Sequence, residues 1–366
     1  MSRFLLRGRV LTPDRDLPMA TLLVDGKFIE FVAEGVFEPE NATPLIVAGD
    51  IIAPGFVDMQ VNGLAGHDAA SGAAAITEIS RLLPKYGVVG FMPTLISRPI
   101  PEAVRFVEEV YSASGAGAAV LGAHIEGPFI NPNYRGAHDV ANLALPAREL
   151  VHELVDVEPS MVTLAPELPG ALDAIRELTS AHVNVSAGHS GATMAEATAG
   201  FDAGIRFGTH LFNAMSPLHH REPGLPGALL ADERITIGLI ADGVHVDPVM
   251  LSFAIRVAGA DRIKLTTDQT AAAGSPPGQY LIAGRETTSD GTSARLADGT
   301  LAGGVATMDQ MVRLVAGLPG VGLRDAVRMA SVSEYGLRTR GRADLVVLTP
   351  DLHVRLTMVG GRVVHG

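Results

Sequence analysis

Short apolar runs alternate with helical patterns through the middle of the chain, and most of the predicted strands are followed by a predicted helix. The strand candidates begin with 55–62 and continue with 88–92, 119–126, 162–165, 183–188, 206–209, 235–240 and 263–267. The helix candidates are 73–86, 101–112, 168–179, 194–203, 248–258, 308–316 and 323–330. This alternation predicts an α/β fold, a (β/α)8 TIM-like barrel. An open doubly wound sheet is the competing fold, but no glycine-rich nucleotide fingerprint follows the first strand.

The two ends of the chain show a different pattern, of short strands separated by turns. Near the N-terminus these are 8–12, 21–24 and 27–32, with the hairpin signal Asp25-Gly26 between the last two; near the C-terminus they are 343–348, 352–359 and 362–364. Because isolated hairpins are marginally stable, we expect both ends to pack into one small β-sandwich domain. The predicted division is 1–53 plus 336–366 for this domain and 54–335 for the barrel.

Polar residues stand at or just past the ends of several barrel strands, where a parallel barrel would bring them to one mouth. They are Asp58, Glu126, His189, His210, His245 and Asp268. A catalytic zinc-type ion takes three protein ligands and leaves a position open for water, and Glu126, His189 and His210 supply such a set. Amide cleavage also needs a proton carrier, for which Asp268 is the first candidate and Asp58, within a strand, the second. These features predict a metal-dependent hydrolase.

The amino-acid composition makes some classes of binding partner and of metal ligand unfavourable. The chain has 366 residues with 40 acidic against 28 basic side chains, a net charge of −12, which disfavours nucleic acid and anionic membranes as partners. It has no cysteine, so metal ligands must be His, Asp or Glu. No apolar stretch reaches the roughly 18 residues that span a bilayer, and the first residues lack a long apolar core. We therefore expect a cytoplasmic protein.

Several segments resemble the N-acetylglucosamine-6-phosphate deacetylases of the amidohydrolase superfamily, and they run in family order over nearly the whole chain. They are 53–63, 124–131, 187–190, 209–215, 221–225, 242–246 and 267–268. The resemblance implies deacetylation of N-acetyl-D-glucosamine 6-phosphate to D-glucosamine 6-phosphate and acetate, a step of amino-sugar catabolism and cell-wall recycling.

The resemblance also implies roles for the residues at the strand ends. Glu126, His189 and His210 would bind one divalent ion per chain, with Zn²⁺ the first choice and Fe²⁺, Mn²⁺ or Co²⁺ as alternatives. Asp268 would be the general base and acid. His245 would hydrogen-bond the amide carbonyl.

The family resemblance also implies which residues contact the substrate. Asn213, Ala214, Gln60 and His138 are expected to line it. Arg221 is expected to bind the substrate phosphate across the interface of a homodimer, and its guanidinium suits bidentate phosphate recognition in an otherwise acidic protein.

Three departures from the family pattern affect these expectations. Gln60 and Asn62 stand where many amidohydrolases have His-x-His, which favours a single-ion site. Gln269 follows Asp268 where alanine is more usual, which affects the expected pocket wall. The connection 331–342 is short and lacks Asn-Pro-Ala, which predicts an altered join between the barrel and the small domain.

Two other functions remain open at this stage. A cyclic-amide hydrolase of the dihydroorotase type would normally need His-x-His and a bridging carboxylated lysine, and Lys27, Lys85 and Lys264 are poorly placed for that. A catalytically inert amidohydrolase-like scaffold would not need to keep a complete ligand set together with Asp268.

Overall fold

A computed structural model describes residues 3–45, 49–332 and 335–366. Within these ranges eight parallel strands form the barrel, and a short strand, Ala119–Val120, pairs beside the second of them. In order around the barrel they are Phe56–Val61, Val88–Ile96, His124–Glu126, Met161–Leu164, Asn184–Ala187, Phe207–Gly208, Thr236–Leu239 and Ile263–Leu265. The predicted barrel is therefore confirmed.

The prediction of one continuous strand over 119–126 is wrong, because the segment is split by Gly122. This glycine has a φ of 108°, and a Cβ placed there would lie 1.8 Å from Ser160 Oγ. The left-handed backbone ends the edge strand, so the chain can start again at His124 in register with the next barrel strand.

The α-helices follow the barrel strands in the chain, as expected for a (β/α)8 fold. They are Ala73–Leu82, Ile100–Ser112, Arg148–Val155, Ala171–Ser180, Met194–Ala203, Gly224–Ala231, Pro248–Ala258, Met308–Ala316 and Leu323–Ala330. Two of these, Arg148–Val155 and Gly224–Ala231, were not predicted. The second is apolar nearly all round and mostly buried, so it lacks the amphipathic period that reveals a helix. No helix in the described ranges is long and apolar enough to cross a membrane.

Asp58 closes the barrel between its first and last strands. Its carboxylate accepts hydrogen bonds from the backbone N–H and hydroxyl of Thr267 and from the hydroxyl of Thr266, while Val61 pairs with Gln269 nearby. The side chain is fully buried, and burial raises the pKa of Asp58 to about 6 against the pull of these hydrogen bonds. Asp58 thus holds neighbouring groups in place.

Both chain ends contribute strands to one mixed sheet. Its order is Arg362–His365, Val354–Val359, Leu345–Leu348, Ile51–Pro54, Arg3–Leu11, Asp16–Asp25 and Phe28–Glu34, with Thr43–Pro44 beside Arg3–Leu11. The side chains of this sheet form a separate apolar core, which includes Leu6, Leu22, Ile52, Leu345 and Met358. The small β-domain built from both termini is confirmed, while the boundaries after residues 53 and 335 stay a prediction. The connection 331–342 includes residues 333–334, which lie outside the described residues.

A small antiparallel sheet that the sequence pattern did not predict follows the last barrel strand. It consists of Gly278–Ile282, Arg285–Ser289 and Ala294–Arg295. Ala283 and Gly284 have φ values of 45° and 79°, which is the backbone of a tight two-residue hairpin turn. Arg98 and Arg285 donate to the carbonyls of Ala283 and Ala137, so this sheet is tied to the mouth of the barrel.

Candidate active site

Three potential ligand atoms converge at the carboxyl ends of three barrel strands. Glu126 Oε1 lies 3.1 Å from His189 Nε2 and 3.0 Å from His210 Nε2, and the two nitrogens are 3.1 Å apart. All three side chains are buried. Both histidines have left-handed backbone, with φ of 50° and 32°, a conformation that is uncommon outside glycine and concentrates at functional sites.

The hydrogen bond on the far side of His189 fixes its tautomer. Nδ1 lies 2.9 Å from the carbonyl oxygen of Tyr134, which can only accept, so Nδ1 carries the proton and Nε2 presents a lone pair. For His210, no partner among the described residues reaches Nδ1. A carboxylate oxygen and two imidazole nitrogens this close together fit a divalent cation, because a cation removes the repulsion among their lone pairs.

His138 also lies close enough to be grouped with Glu126 and His189 as a metal-binding set. However, its Nδ1 accepts the backbone N–H of Ser97 at 3.0 Å, so the proton of the neutral ring sits on Nε2, 3.7 Å from Glu126 Oε2. Burial lowers the pKa of His138 to about 4, which keeps the ring neutral. His138 is therefore a hydrogen-bond donor, and His210 is the better third ligand.

The amides at the end of the first strand point their nitrogens at the two carboxylates of the site. Gln60 Nε2 donates to Glu126 Oε1 at 2.9 Å, and Asn62 Nδ2 donates to Asp268 Oδ1 at 2.8 Å. An amide nitrogen is not a metal ligand. This arrangement supports one ion rather than two.

Asp268 lies just past the last barrel strand, partly buried, with a φ of 47°. Burial and the negative charge of Glu126 raise its pKa to about 7, against the opposing effects of His210, His245 and Asn62. Gly304 donates its N–H to the Asp268 carbonyl at 2.7 Å, and a Cβ on Gly303 would lie 2.6 Å from that oxygen. The close glycine backbone therefore fixes the main chain of Asp268 next to the cavity.

His245 is held by Asp242, a residue to which the sequence reasoning gave no role. Asp242 Oδ2 lies 2.7 Å from His245 Nδ1, and its Oδ1 accepts the backbone N–H groups of Val244 and His245, both at 2.8 Å. Burial favours the neutral acid, but the hydrogen bond and charge of His245 outweigh it and lower the pKa of Asp242. The spacing Asp-Gly-Val-His, which is typical of an aspartate turn, was the available signal.

A second residue without an assigned role, Glu167, supports the loop around His189. Its carboxylate accepts from Asn131 Nδ2 at 2.9 Å and from Ser190 Oγ and the Gly191 N–H, both at 2.7 Å. The N–H of Asn131 in turn donates to the His189 carbonyl at 3.0 Å. Its position shortly after the strand Met161–Leu164 could have suggested this role.

A cavity of about 260 Å³ joins most of the predicted residues. It is lined by Glu126, His138, His189, His210, Asn213, Ala214, His245 and Asp268, with Ile96, Ile282 and Leu301 among the apolar wall residues. Gln60 reaches this site through Glu126. Arg221 does not line the cavity: it is exposed, and it donates to His220 Nε2 at 2.9 Å. Gln269 is buried and is not a wall residue of the cavity.

Comparison with known proteins identifies the family from residues 51–364, which match the amidohydrolase family model. The chain belongs to the amidohydrolase family. This amidohydrolase is 37% identical over 346 residues to the N-acetylglucosamine-6-phosphate deacetylase of Bos taurus, covering 86% of this chain and 84% of the relative. It is 36% identical over 355 residues to the N-acetylgalactosamine-6-phosphate deacetylase of Escherichia coli O157:H7, covering 90% and 93%.

Among solved structures, the amidohydrolase superimposes on an N-acetyl-D-glucosamine-6-phosphate deacetylase of Mycobacterium smegmatis. The TM-score is 0.95 with 33% identity, and the alignment covers 100% of both chains. That structure is an aspartate-to-alanine mutant in complex with N-acetyl-D-glucosamine 6-phosphate. The N-acetylglucosamine-6-phosphate deacetylase of Pasteurella multocida gives a TM-score of 0.89 with 28% identity and covers 99% of each chain. The resemblance inferred from the sequence is confirmed.

Proposed function

We propose that this amidohydrolase converts N-acetyl-D-glucosamine 6-phosphate and water to D-glucosamine 6-phosphate and acetate, with one divalent ion per chain. The observation that carries the proposal is the convergence of Glu126, His189 and His210 with Asp268 and His245 in one cavity. Such a site suits hydrolysis of an amide. The similarity to deacetylases over most of the chain supports the substrate class.

Glu126, His189 and His210 would hold the ion, and mixed nitrogen and oxygen ligation makes Zn²⁺ the first choice, with Fe²⁺, Mn²⁺ and Co²⁺ as alternatives. When bound there, a divalent ion acts as a Lewis acid that makes water more acidic and polarises a carbonyl group. The hydrogen bond from His189 to Tyr134 would orient its ring for this task.

Asp268 is the proton carrier of the proposed reaction. Its carboxylate takes a proton from the attacking water as the water oxygen bonds to the acetyl carbon. It then gives that proton to the nitrogen of the sugar as the carbon–nitrogen bond breaks. A pKa near 7, set by burial and Glu126, suits both transfers, although a bound cation would lower it.

The other cavity residues position the substrate. His245 hydrogen-bonds the amide oxygen, and His138 presents its Nε2–H to the cavity. Asn213 and Ala214 line the sugar side, and Gln60 acts through its bond to Glu126.

Arg221 is proposed to bind the phosphate in the site of the partner chain of a homodimer. Its exposed position outside the cavity of its own chain fits this role. The guanidinium of Arg221 can bind a phosphate in bidentate geometry. Its positive charge offsets the repulsion between the anionic substrate and a chain of net charge −12. Because charged sugar phosphates do not cross membranes unaided, the proposal places the enzyme in the cytoplasm.

N-acetylgalactosamine 6-phosphate is the second candidate substrate, because one of the similar relatives is named for it. The two sugars differ only in the orientation of one hydroxyl group. A dihydroorotase-type activity is not favoured, since Gln60 and Asn62 donate amide hydrogens where that chemistry would need histidine ligands.

Acetate release tests the proposal. The protein would be assayed with N-acetylglucosamine 6-phosphate, its unphosphorylated form and N-acetylgalactosamine 6-phosphate, each with and without a chelator. We expect chelator-sensitive acetate release that is fastest with N-acetylglucosamine 6-phosphate. Faster turnover of the galactosamine sugar would change the substrate, and no acetate release from any of the sugars would refute the deacetylase proposal.

A further inference from the structure

Glu167 lies just past the barrel strand Met161–Leu164 and joins the loops that follow the two neighbouring strands. Its Oε1 accepts hydrogen bonds from Asn131 Nδ2 at 2.9 Å and from the Gly191 N–H at 2.7 Å. Its Oε2 accepts from Ser190 Oγ at 2.7 Å. Asn131 belongs to one loop, and Ser190 and Gly191 belong to the other. A single carboxylate therefore links the two loops, and each of them begins next to a proposed metal ligand.

The loop that contains Asn131 forms the hydrogen-bond acceptor for the ring of His189. Asn131 caps a short 3₁₀ turn: its Oδ1 accepts the N–H of Asn133 at 2.9 Å, and its carbonyl accepts the N–H of Tyr134 at 2.9 Å. This turn places the Tyr134 carbonyl 2.9 Å from His189 Nδ1. The N–H of Asn131 also donates to the His189 carbonyl at 3.0 Å. Asn131 thus holds both the main chain of His189 and the group that orients its ring.

The two loops also pack closely against each other. A Cβ atom on Gly191 would lie 2.4 Å from the ring of Tyr134, so a side chain there would push the loops apart. His189 has a left-handed backbone with a φ of 50°, which a residue other than glycine keeps only where the surrounding contacts enforce it. The hydrogen bonds from Glu167 to the two residues after His189 are contacts of this kind. Glu167 does not line the cavity, so it reaches the ligand set only through its neighbours.

We propose that Glu167 sets the orientation of His189 as a metal ligand. By holding Asn131 and the backbone after His189 in place, it keeps the Tyr134 carbonyl opposite Nδ1 and the ring turned with Nε2 toward the other two proposed ligands. The inference rests on the proposed metal site. Glu167 acts through other residues and is therefore a positioning residue. Outer hydrogen-bond partners of this kind typically change metal affinity by about 10- to 100-fold.

The affinity for Zn²⁺ is the direct test. Metal-free Glu167→Ala would be titrated with Zn²⁺ against a chromophoric chelator, once circular dichroism has shown that the variant is folded. We expect its dissociation constant to rise by about 10- to 100-fold over that of the parent protein. Glu167→Gln should stay close to the parent protein. Its amide oxygen can still accept from Asn131 and Gly191, and its amide nitrogen can donate to the Ser190 hydroxyl.

A second variant keeps the test decisive if Glu167→Ala does not fold. Asn131→Asp retains an acceptor for the Asn133 N–H but places a second carboxylate against Glu167, so it should weaken Zn²⁺ binding as well. The matched control is Glu177→Ala, which removes a partly buried glutamate that contacts His152 on the helical layer of the barrel. Its dissociation constant for Zn²⁺ should equal that of the parent protein.

A positioning role also predicts which activity returns. With Zn²⁺ in excess, Glu167→Ala should regain most of its kcat with a KM near that of the parent protein. Parent-like Zn²⁺ affinity in Glu167→Ala, or in Asn131→Asp if only that variant folds, would overturn the inference. An equal loss in Glu167→Gln would also overturn it, because charge rather than hydrogen bonding would then matter. A parent protein that binds no Zn²⁺ would refute the proposed metal site and this inference with it, whereas one that binds Zn²⁺ without releasing acetate would refute only the proposed deacetylation.

Discussion

Three histidines that line the cavity, His138, His189 and His245, differ in the partner of their Nδ1 atoms. The Tyr134 carbonyl leaves His189 with a lone pair on Nε2, as a metal ligand needs. The Ser97 N–H leaves His138 with a hydrogen there, as a neutral donor needs. Asp242 gives the Nδ1 atom of His245 a carboxylate as its partner. The same side chain therefore suits different roles at these positions because its hydrogen-bond partners differ.

Asp268→Asn is expected to keep the metal and the substrate but to lower kcat by at least about 10²-fold. Asparagine preserves the shape and can still accept the hydrogen bond from Asn62, but it cannot take a proton from water. Steady-state kinetics with elemental analysis would measure this, with the exposed Asp173→Asn as a control. Near-normal turnover would assign the proton transfer to another group.

Arg221→Ala is expected to lower kcat/KM for the 6-phosphate sugar by about 10–10²-fold, the loss of one charge-assisted hydrogen bond. The value for the unphosphorylated sugar should change little, because Arg221 lies outside the cavity that holds the amide. The exposed Arg176→Ala serves as the control. Equal losses on both sugars would show that Arg221 supports the structure instead of binding phosphate.

At the level of elements, the first and last barrel strands are joined by side-chain hydrogen bonds and by an isolated backbone pairing. The first strand, Phe56–Val61, meets the segment after Ile263–Leu265 mainly through Asp58 and the isolated pairing of Val61 with Gln269. This seam places Asn62 beside Asp268, where it donates its amide hydrogen. The geometry of Asp268, the proposed proton carrier, therefore depends on contacts with residues far away in the sequence, such as Asn62.

Asp58 should make the stability of the barrel depend on pH. The pKa of Asp58 in the folded protein is about 6, above the ordinary 3.8. The stability that the protonated side chain contributes is therefore fully present below about pH 4 and is lost as pH rises through 6. Relative to Asp58→Asn, the parent protein should lose about 2 kcal/mol of unfolding free energy between pH 4 and pH 7. Chemical denaturation of both proteins across this range would measure the difference, and a difference independent of pH would contradict the assignment.

For the whole molecule, we expect one tightly bound divalent ion per chain. Gln60 and Asn62 direct amide hydrogens at Glu126 and Asp268 and so leave no donor set for a second ion among these four side chains. Elemental analysis after metal saturation and dialysis would count the ions, and His189→Ala should retain almost none. Two tightly held ions per chain would refute the single-ion site.

Subunit exchange tests whether Arg221 acts across a homodimer. Chains with Arg221→Ala and chains with Asp268→Asn should each be poorly active on the 6-phosphate sugar. In a mixed dimer one site carries both defects and the other carries neither, so activity should return. The exchange would be verified by mass spectrometry of tagged chains. No recovery in verified mixed dimers would place the phosphate contact within a single chain.

The sequence alone was sufficient for the barrel, for the β-domain from both termini and for the residues that the structure brings together at the cavity. The apolar runs and the polar residues at strand ends can be read from the sequence. Each barrel strand must bury its apolar side chains, and the carboxyl ends of all the strands meet at the same mouth of the barrel. The helix Gly224–Ala231 and the small sheet starting at Gly278 were not predicted. The helix is apolar and buried nearly all round, and the strands of the sheet are short and show only weak alternation of apolar and polar residues.

Only the tertiary structure decided which position and which hydrogen-bond partners each of those residues has. Asp58 and Asp268 are both aspartates on or just after barrel strands, yet one is fully buried in the seam and the other is partly buried and lines the cavity. The partners of His138, His189 and His245 are likewise invisible to local pattern, apart from the near neighbour Asp242. Protonation state and ligand choice depend on burial and on hydrogen bonds between distant segments, and these exist only once the chain has folded.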